Sequence, residues 1–403
     1  MFGKQSKPCV DSPVPLCIMK SNCSGPKKGL IRCRGEQAQL QYMRGDRNRG
    51  KMLKKRLTAA VLAAAVLTGG CQGNSAGRNV PTVTLTLANN LSSDSCTSRA
   101  IDWFADEVEK RSGGRIQIEV YHDGLLGDSP SCLEQLQYGG IDIVKTDEPT
   151  MSNYVSDYYA FAMPYLYRDT EHFRQVHRGA VGMELLRGEA MAEQHMYGLT
   201  YYDGGARGFY SKKPIHSPKD MAGMLVRVQN SRLMMDMVEA LGASPVALDY
   251  GALQGELQKG GITAAENSIV NYVQDGYDEI APYFVEDNHT RNADVLVMST
   301  VIRSKLSPED LEMIDQAALE SWEYQKELWD EAESAARKEL ELHQAVVYQP
   351  DENELEEFRR ACEEVWSDYD GGAYLDLIDR IVAEGRMQTS GREKEKGEAY
   401  GRE

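Results

Sequence analysis

Residues 83–121, VTLTLANNLSSDSCTSRAIDWFADEVEKRSGGRIQIEVY, hold two short alternating segments with a helical segment between them. Val83 to Leu87 and Arg115 to Tyr121 alternate apolar and polar residues, as half-buried strands do. Between them, Thr97 to Arg111 places apolar residues at helical spacing, and Gly113–Gly114 ends the helix. A strand, a helix and a strand in this order predict a right-handed βαβ unit and a parallel sheet.

The same alternation continues along the chain. Further strands are predicted at Ile141–Val144, Met224–Val228 and Asp294–Ser299, and further helices at Asp128–Tyr138, Ser231–Leu241, Tyr250–Lys259 and Glu352–Tyr369. Ser307 to His343 is typical of one helix of about 36 residues, or roughly 54 Å. A helix of this length outlasts one domain, so we expect a strut across two α/β lobes. Such sheets bind ligands at the carboxyl ends of their strands, and two facing lobes form a cleft.

The composition is that of a globular protein large enough for two domains. The chain has 403 residues, of which 41% are hydrophobic and 27% charged. Residues 1–70 hold 14 Lys and Arg against 3 Asp and Glu, whereas the remainder holds 31 against 59. A body with a net charge of −28 repels nucleic acid and anionic lipid, so neither is an expected partner.

The segment around residue 60 predicts export. Leu57 to Thr68 is a 12-residue apolar run that follows four basic residues and precedes Gly69-Gly70-Cys71. Such a run is too short to span a bilayer, and basic flank, apolar core and small residues are typical of a signal peptide. The end at Cys71 resembles a bacterial lipoprotein processing site, although Thr68 stands where an aliphatic residue is usual. An ordinary signal with a coincidental cysteine is the alternative.

These features predict several distinct segments at the two ends of the chain. We expect a signal peptide at residues 52–70, a flexible tether at 71–80 and a disordered tail at 386–403. Residues 1–51 carry four of the eight cysteines without the paired spacing of a zinc site. A zinc site is one interpretation of them. The other, which we favour, is a non-native leader upstream of a translation start at Met52.

The sequence contains no pattern of residues that would support catalysis. The His spacing of metal sites, the G-x-S-x-G nucleophile elbow and the phosphate-binding glycine patterns are all absent. Asp147–Glu148 could act as an acid/base pair, but strand neighbours point in opposite directions. Cysteines of an exported protein are more often inert or disulfide-bonded than nucleophilic. We therefore predict no enzymatic activity, no cofactor and no metal.

Two arginines stand out from their surroundings. Arg207 follows a glycine pair, and Arg227 interrupts the apolar strand Leu225–Val228. A buried arginine is costly unless an anion meets it, so each is a candidate ligand contact. A structural salt bridge is an equal alternative in so acidic a chain.

At these residues the chain resembles the DctP-like solute-binding subunits of TRAP (tripartite ATP-independent periplasmic) transporters. The resemblance runs from about Val83 to about Leu375. It rests on the motifs GLLGD at 124–128, AMPYL at 162–166, GAR at 205–207, MAGMLVRV at 221–228, GASP at 242–245 and Glu266–Asn267.

The resemblance implies a two-lobed periplasmic-binding-protein-like α/β fold that closes on its ligand, with the long helix across both lobes. Lobe I would comprise residues 81–204 plus 293–332, and lobe II residues 205–292 plus 333–385. Arg227 would clamp the ligand carboxylate in a bidentate pair, Arg207 would support it, and Asn267 would complete the pocket. The protein would be an extracytoplasmic, lipid-anchored monomer that delivers a small organic acid to membrane permease subunits.

Four further positions match ligand-facing sites of the family: Asn90, Asp147, Tyr250 and His289. Asp147 would accept hydrogen bonds from hydroxyls, and Tyr250 would offer a flat face. The polar set, with Glu148 added, suits a polyhydroxylated acid, and the residues around His289 resemble members that take hexuronates. A binder of C4-dicarboxylate or sialic acid, and a sensory protein that presents its ligand to a receptor, are the alternatives.

Cys96 and Cys132 are candidates for a disulfide. Both lie near the starts of helices that follow neighbouring strands, in a chain expected in an oxidising compartment. Against the pairing, consecutive crossover helices can lie on opposite faces of a sheet.

The export segment gives a first prediction: the mature protein begins at a lipidated Cys71. Cys71→Ser should release the protein from the membrane fraction, because the variant has no thiol to carry the lipid. Fractionation of cells that express each form measures this. A wild-type protein already soluble outside the cell would refute the lipid anchor.

Overall fold

The computed structural model describes residues 82–343, 345–369 and 374–384, and every structural statement below concerns these residues. The predicted leader, signal peptide, tether with Cys71, and tail lie outside the described residues.

The described chain forms one mixed sheet of nine strands in the order β2-β1-β3-β8-β4-β7-β5-β6, with β9 paired to β8. The strands are β1 Val83–Ala88, β2 Ile116–Tyr121, β3 Ile143–Asp147, β4 Met196–Ser211, β5 Leu225–Val228, β6 Ser244–Ala247, β7 Ala264–Ser268, β8 Tyr283–Ser299 and β9 Val346–Tyr348.

The sheet is parallel only in part, which corrects the predicted parallel sheet. β1 pairs in parallel with β2 and β3, and β5 pairs in parallel with β6 and β7. β3, β4 and β7 are joined through antiparallel pairings that involve β4 and β8. The reason is that β4 and β8 are long strands, of 16 and 17 residues, that run through the middle of the sheet in opposite directions.

Fifteen labelled α-helices connect or flank the described strands. They are α1 Cys96–Arg111, α2 Ser129–Gln137, α3 Glu148–Met151, α4 Tyr158–Phe161, α5 Thr170–Arg178, α6 Ala180–Arg187, α7 Glu189–Glu193, α8 Arg232–Ala240, α9 Tyr250–Lys259, α10 Ile269–Gln274, α11 Tyr277–Ile280, α12 Thr300–Arg303, α13 Pro308–His343, α14 Glu352–Ala361 and α15 Glu363–Tyr369. Residues 375–384 are also helical.

The first βαβ unit forms as its sequence predicts. β1 and β2 pair in parallel along six residues. Ser95 begins α1, and its side chain accepts a hydrogen bond from the Ser98 backbone N–H at 3.0 Å. Ala100, Phe104 and Val108 lie on the buried face of α1. The predicted helix at 352–369 is instead two helices, α14 and α15, which meet at Cys362.

The long helix α13 has 36 residues, as predicted. It starts at Pro308, and the Ser307 hydroxyl accepts a hydrogen bond from the Asp310 backbone N–H at 3.1 Å. The buried side chains of α13 continue from Ile314 to Leu340, so that one face is covered along most of its length. The helix packs against α1 and β4 and also against α10 and α11. The helix therefore packs against elements on both sides of the middle of the sheet.

The ladder between β4 and β8 changes register near its middle. Asp203 pairs with Ala293 and Ala206 pairs with Arg291, so that two glycines of β4 face a single residue of β8. A Cβ on Gly204 would lie 2.2 Å from the backbone oxygen of Asn292, which only glycine avoids. This irregularity lies at the predicted lobe boundaries 204/205 and 292/293, which stay predictions.

The predicted Cys96–Cys132 disulfide is absent from the structure. Cys96, Cys132 and Cys362 are free, buried thiols. Cys132 packs into the larger hydrophobic cluster, whereas Cys96 belongs to the smaller cluster of α9, α10 and α13. Burial raises the pKa of the Cys96 thiol to about 12, which keeps it protonated and unreactive.

None of the helices in the described ranges is long and apolar enough to cross a membrane.

The contact between β4 and β8 gives a stability prediction at Gly208. A Cβ there would lie 2.2 Å from the backbone oxygen of Val285, so Gly208→Ala must push the two strands apart. We expect a loss of about 1–3 kcal/mol in the free energy of unfolding, measured by urea denaturation.

Gly255→Ala is the matched control for that substitution. Gly255 lies inside α9, and a Cβ there meets only the end of the Lys259 side chain at 3.8 Å. Alanine is favoured over glycine within a helix by about 0.5–1 kcal/mol, so this variant should be slightly more stable than the wild type. A Gly208→Ala protein as stable as the wild type would contradict the close strand contact.

Candidate functional site

A cavity of about 490 Å³ opens where the parallel strands at both ends of the sheet reach their carboxyl ends. Six of the predicted site residues line it: Asn90, Asp147, Arg207, Arg227, Tyr250 and Asn267. Asn90 follows β1, Asp147 ends β3 and Asn267 lies near the end of β7. The position is the one at which α/β sheets bind ligands.

Arg227 is buried without a carboxylate partner. Its side chain is on β5, the residue is 3% exposed, and none of its nitrogens forms a salt bridge with a described residue. Its Nε donates to the Leu248 backbone oxygen at 2.8 Å, and its guanidinium lies 5.6 Å from the ring centre of Tyr250. Since an arginine carries five N–H donors, four remain on the two terminal nitrogens, without described hydrogen-bond partners.

Arg207, unlike Arg227, has a carboxylate partner within the protein, which neutralises its charge. Its Nε and Nη2 donate to the Glu266 carboxylate, Nη2 donates also to the Glu266 backbone oxygen at 3.0 Å, and Nη1 donates to Asn267 Oδ1 at 2.9 Å. Four of its five donors are therefore taken, and one remains for a ligand. Burial opposes ionisation of Glu266, but Arg207 and His289 outweigh it and lower the pKa of Glu266 to about 2.

Asn267 connects this ion pair to Tyr250. Its side-chain oxygen accepts from Arg207 and from the Ser268 backbone N–H at 2.9 Å, and its side-chain nitrogen donates to the Tyr250 hydroxyl at 3.2 Å. That hydroxyl in turn donates to Asp275. Burial, together with the neighbouring Asp275, raises the pKa of Tyr250 well above its usual value, so it stays a neutral donor. The ring is thereby fixed against the Arg227 guanidinium.

The wall opposite Arg227 carries a polar cluster on β1 and β3. Lys145 forms a salt bridge with Asp294 at 2.7 Å and donates to Asn90 Oδ1 at 3.2 Å. Asp147 accepts the Thr150 backbone N–H through Oδ1 at 2.9 Å, and no described cation pairs with it. The pKa of Asp294 is raised because burial outweighs the attraction of Lys145. This wall offers carboxylate and amide oxygens to a ligand.

His289 does not line the cavity, which corrects its prediction as a ligand contact. The residue is fully buried behind Arg207, where its ring stacks on Phe209 with centres 4.1 Å apart. Its Nδ1 lies 3.0 Å from Asp287, and its Nε2 lies 3.6 Å from Glu266. Two carboxylates hold this histidine inside the sheet, so it supports the Arg207–Glu266 pair and cannot reach a solute.

Glu148 is also absent from the cavity wall. Its side chain is fully buried, with Oε1 2.7 Å from His177 Nε2 and Oε2 accepting the Ala293 backbone N–H at 2.8 Å. It joins α3 to β8 and α5. Asp147 and Glu148 therefore do not form an acid/base pair, as the opposite directions of strand neighbours indicate.

The cavity wall also contains residues that were not predicted from the sequence, namely Lys145, Gln229, Asp249, Asn292 and Asp294. Lys145 follows the apolar residues Ile143 and Val144 of β3, which is the signal that identified Arg227. Asp249 follows β6 directly, at the carboxyl end of a strand. The described residues contain no group of three or more His, Cys, Asp or Glu side chains placed to hold a metal ion. The arrangement is equipped to bind a polar anion.

His289 gives a prediction for stability against pH. Burial would lower its pKa, but Asp287 and Glu266 outweigh burial and raise it from 6.5 to about 9. A folded-state pKa above the unfolded one stabilises the protein fully below about pH 6.5, and that gain is lost as the pH rises through 9. Relative to His289→Gln, the wild type should lose on the order of 3 kcal/mol between pH 6 and pH 10, measured by denaturant titration at each pH.

The control for that series is His216→Gln, which makes the same substitution at an exposed position. Equal slopes for the wild type and His289→Gln would show that the buried cluster is not charged as described.

Comparison with known proteins places this geometry in a family. The profile of DctP, described as bacterial extracellular solute-binding protein, family 7, matches residues 87–371. The uncharacterized protein YiiZ of Salmonella typhimurium is 34% identical over 232 residues, which cover 57% of this chain and 71% of that protein.

Two solved structures share the fold closely. A TRAP periplasmic solute-binding protein of Bradyrhizobium sp. BTAi1, in complex with α/β-D-galacturonate, superposes with a TM-score of 0.71 at 32% identity and covers 74% of this chain and 99% of its own. One from Pseudomonas putida F1, with bound D-glucuronate, has a TM-score of 0.71 at 29% identity, and covers 74% and 97%. The predicted two-lobed fold is thereby confirmed, and the chain belongs to the DctP family of TRAP extracellular solute-binding proteins.

Proposed function

We propose that this protein captures a hexuronate or a closely related sugar acid in its cleft and delivers it to the permease subunits of a TRAP transporter. The observation that carries the proposal is Arg227, a buried arginine in the cavity wall that lacks a carboxylate partner among the described residues. A buried charge left in this state requires an anion from outside the chain.

The ligand carboxylate suits Arg227 in geometry as well as in charge. The four donors on its terminal nitrogens form a planar fork that matches the two oxygens of a carboxylate. The single remaining donor of Arg207 can reach the same carboxylate from the side, and Asn267 fixes the position of both Arg207 and Tyr250. Arg227 would therefore clamp the acid, and Arg207 would support it.

The remainder of the cavity favours a polyhydroxylated acid. Asp147 and Asn90 offer acceptors to hydroxyl hydrogens, and Tyr250 offers the face of its ring. The two structural relatives described above contain galacturonate and glucuronate, which have this chemistry. A C4-dicarboxylate or sialic acid remains the alternative ligand class, and the titration panel below includes both.

The family consists of solute-binding proteins, and we propose that this member likewise has no enzymatic activity. The cavity residues hold and orient an anion, and His289 is enclosed behind Arg207. Incubation of the pure protein with hexuronates should yield no product. The alternative role is presentation of the bound ligand to a sensor protein. A permease gene next to the gene of this protein would favour transport over this alternative.

We propose further that the protein acts as a monomer at the outer face of a membrane, held there by a lipid on Cys71. The support for the anchor is the sequence of residues 51–71 and the extracytoplasmic character of the family. A monomer suits a binding protein whose site lies within one chain.

The carboxylate clamp predicts the effect of Arg227→Ala. Removal of a buried partner from a charge-assisted pair costs about 2–5 kcal/mol, which is roughly 30-fold to several-thousand-fold in affinity. Arg227→Lys should recover little, because an ammonium lacks the planar fork. Isothermal titration with D-galacturonate, D-glucuronate, sialic acid and C4-dicarboxylates measures both variants.

Arg187→Ala is the matched control for the clamp. Arg187, like Arg227, forms no salt bridge with a described residue, donates to a backbone oxygen and lies over a tyrosine ring, at 5.3 Å from the centre of Tyr197. It is outside the cavity, so its removal should leave the affinity unchanged. Arg207→Ala should cost less affinity than Arg227→Ala but more stability, because it leaves Glu266 buried and unpaired. Wild-type affinity in Arg227→Ala would refute the clamp.

A further inference from the structure

Asn292 in the cavity wall has a side-chain amide without a hydrogen-bond partner among the described residues. Asn292 is 3% exposed, and both the nitrogen and the oxygen of its amide are buried without a partner among the described residues. Buried amides are almost always satisfied, because each unmade hydrogen bond costs free energy. An asparagine with both ends unmet, in the wall of a binding cavity, therefore requires a partner from outside the chain.

The backbone around Asn292 fixes its place. Its backbone oxygen lies against Gly204, at the register change between β4 and β8. On either side of it, Arg291 donates to the Thr170 hydroxyl at 2.9 Å and the Ala293 N–H donates to Glu148 at 2.8 Å. The Arg291 side chain and the Ala293 backbone N–H are thus hydrogen-bonded to the surrounding protein. Asn292 is held at the middle of the sheet, beneath the cavity.

A second amide in the cavity wall shows the same deficiency. Gln229 follows β5, two residues after Arg227, and is 7% exposed. Its side-chain oxygen is buried without a hydrogen-bond partner. Asn292 and Gln229 thus line the cavity from β8 and from the end of β5, and the amide oxygen of each lacks a partner among the described residues.

We infer that Asn292 and Gln229 bind hydroxyl groups on the carbon chain of the ligand and so select polyhydroxylated acids over acids without hydroxyls. This inference rests on the proposed function. An amide both donates and accepts, as a hydroxyl does, and a hydroxyl can satisfy either end of it.

The charges in the cavity wall favour a hydroxyl over a second carboxylate at this position. Asp123, Asp128, Asp147 and Asp249 all line the cavity, and none of them forms a salt bridge with a described residue. Lys145 is already paired with Asp294. After one carboxylate has reached Arg227, a second would meet an excess of negative charge, whereas a neutral hydroxyl would not.

The test is a cycle of variant and ligand. D-Galacturonate, D-glucuronate and their monodeoxy analogues are titrated calorimetrically into the wild type, Asn292→Leu and Gln229→Leu. Each substitution should weaken binding of the parent hexuronate about 10- to 100-fold, since it leaves a ligand hydroxyl unpaired. For the analogue that lacks that hydroxyl, the same substitution should change the affinity less than about 3-fold.

Thr146→Val is the matched control. The Thr146 hydroxyl is also buried without a described partner, but it lies between Lys145 and Asp147 on β3 and outside the cavity wall. Its replacement should change neither the affinity nor the preference among the analogues. Asn292→Ala, which removes the amide without adding a charge, takes the place of Asn292→Leu if that variant does not fold.

The outcomes separate the inference from the proposed function. If the wild type binds a hexuronate through Arg227 and the amide variants lose the same affinity for every analogue, or none, the inference is wrong and the carboxylate clamp stands. Bound water would then satisfy the amides. If the wild type binds none of the hexuronates, the proposed ligand class is wrong and the inference is overturned with it.

Discussion

The buried ion pair between Arg207 and Glu266 is the constraint on which the binding cleft depends. It joins β4 to β7 in the antiparallel part of the sheet, and neither charge could remain there without the other. His289 and Asp287 stabilise it from behind, and Asn267 fixes it in front. The pair therefore aligns the two strands and positions the amide that holds the neighbouring tyrosine.

The two arginines of the cleft have different roles, because they differ in how many of their N–H donors the protein itself engages. Arg207 has four of its five donors engaged by the protein, whereas Arg227 has one engaged and four available. This difference resolves the conflict between an acidic chain and an anionic ligand. The overall field repels an anion, but the cleft holds Arg227, which forms no salt bridge with a described residue.

Local patterns in the sequence predicted much of this fold, because α1, β1, β2 and α13 are stabilised by residues close in sequence. Local patterns did not predict the strands whose formation depends on pairing with residues distant in the sequence. β4 extends to Ser211 through Asp203 and two glycines, and the first half of β8 is strongly polar, so neither alternates visibly. These two segments are strands because they pair with each other.

The same distinction separates the site residues. Arg227 was predictable because a charge within an apolar strand is visible in the sequence itself. His289 was not, since it is enclosed by Phe209 and Glu266, which are distant in the sequence and meet it only in the folded sheet. For Asn292 the decisive fact is an absence of partners, and a sequence does not contain that information.

The register change between β4 and β8 has a mechanical consequence. The ladder of these two long strands is interrupted at three places on β4, between Gly198 and Thr200, between Asp203 and Ala206, and between Arg207 and Phe209. A connection of this kind resists twisting and stretching and bends most readily at the place where the ladder is interrupted. Bending of the sheet would therefore concentrate between Gly198 and Phe209, and the middle interruption, at Gly204–Gly205, borders the cavity. A rotation at that position would displace the rim of the cleft more than its floor, because displacement grows with distance from the axis.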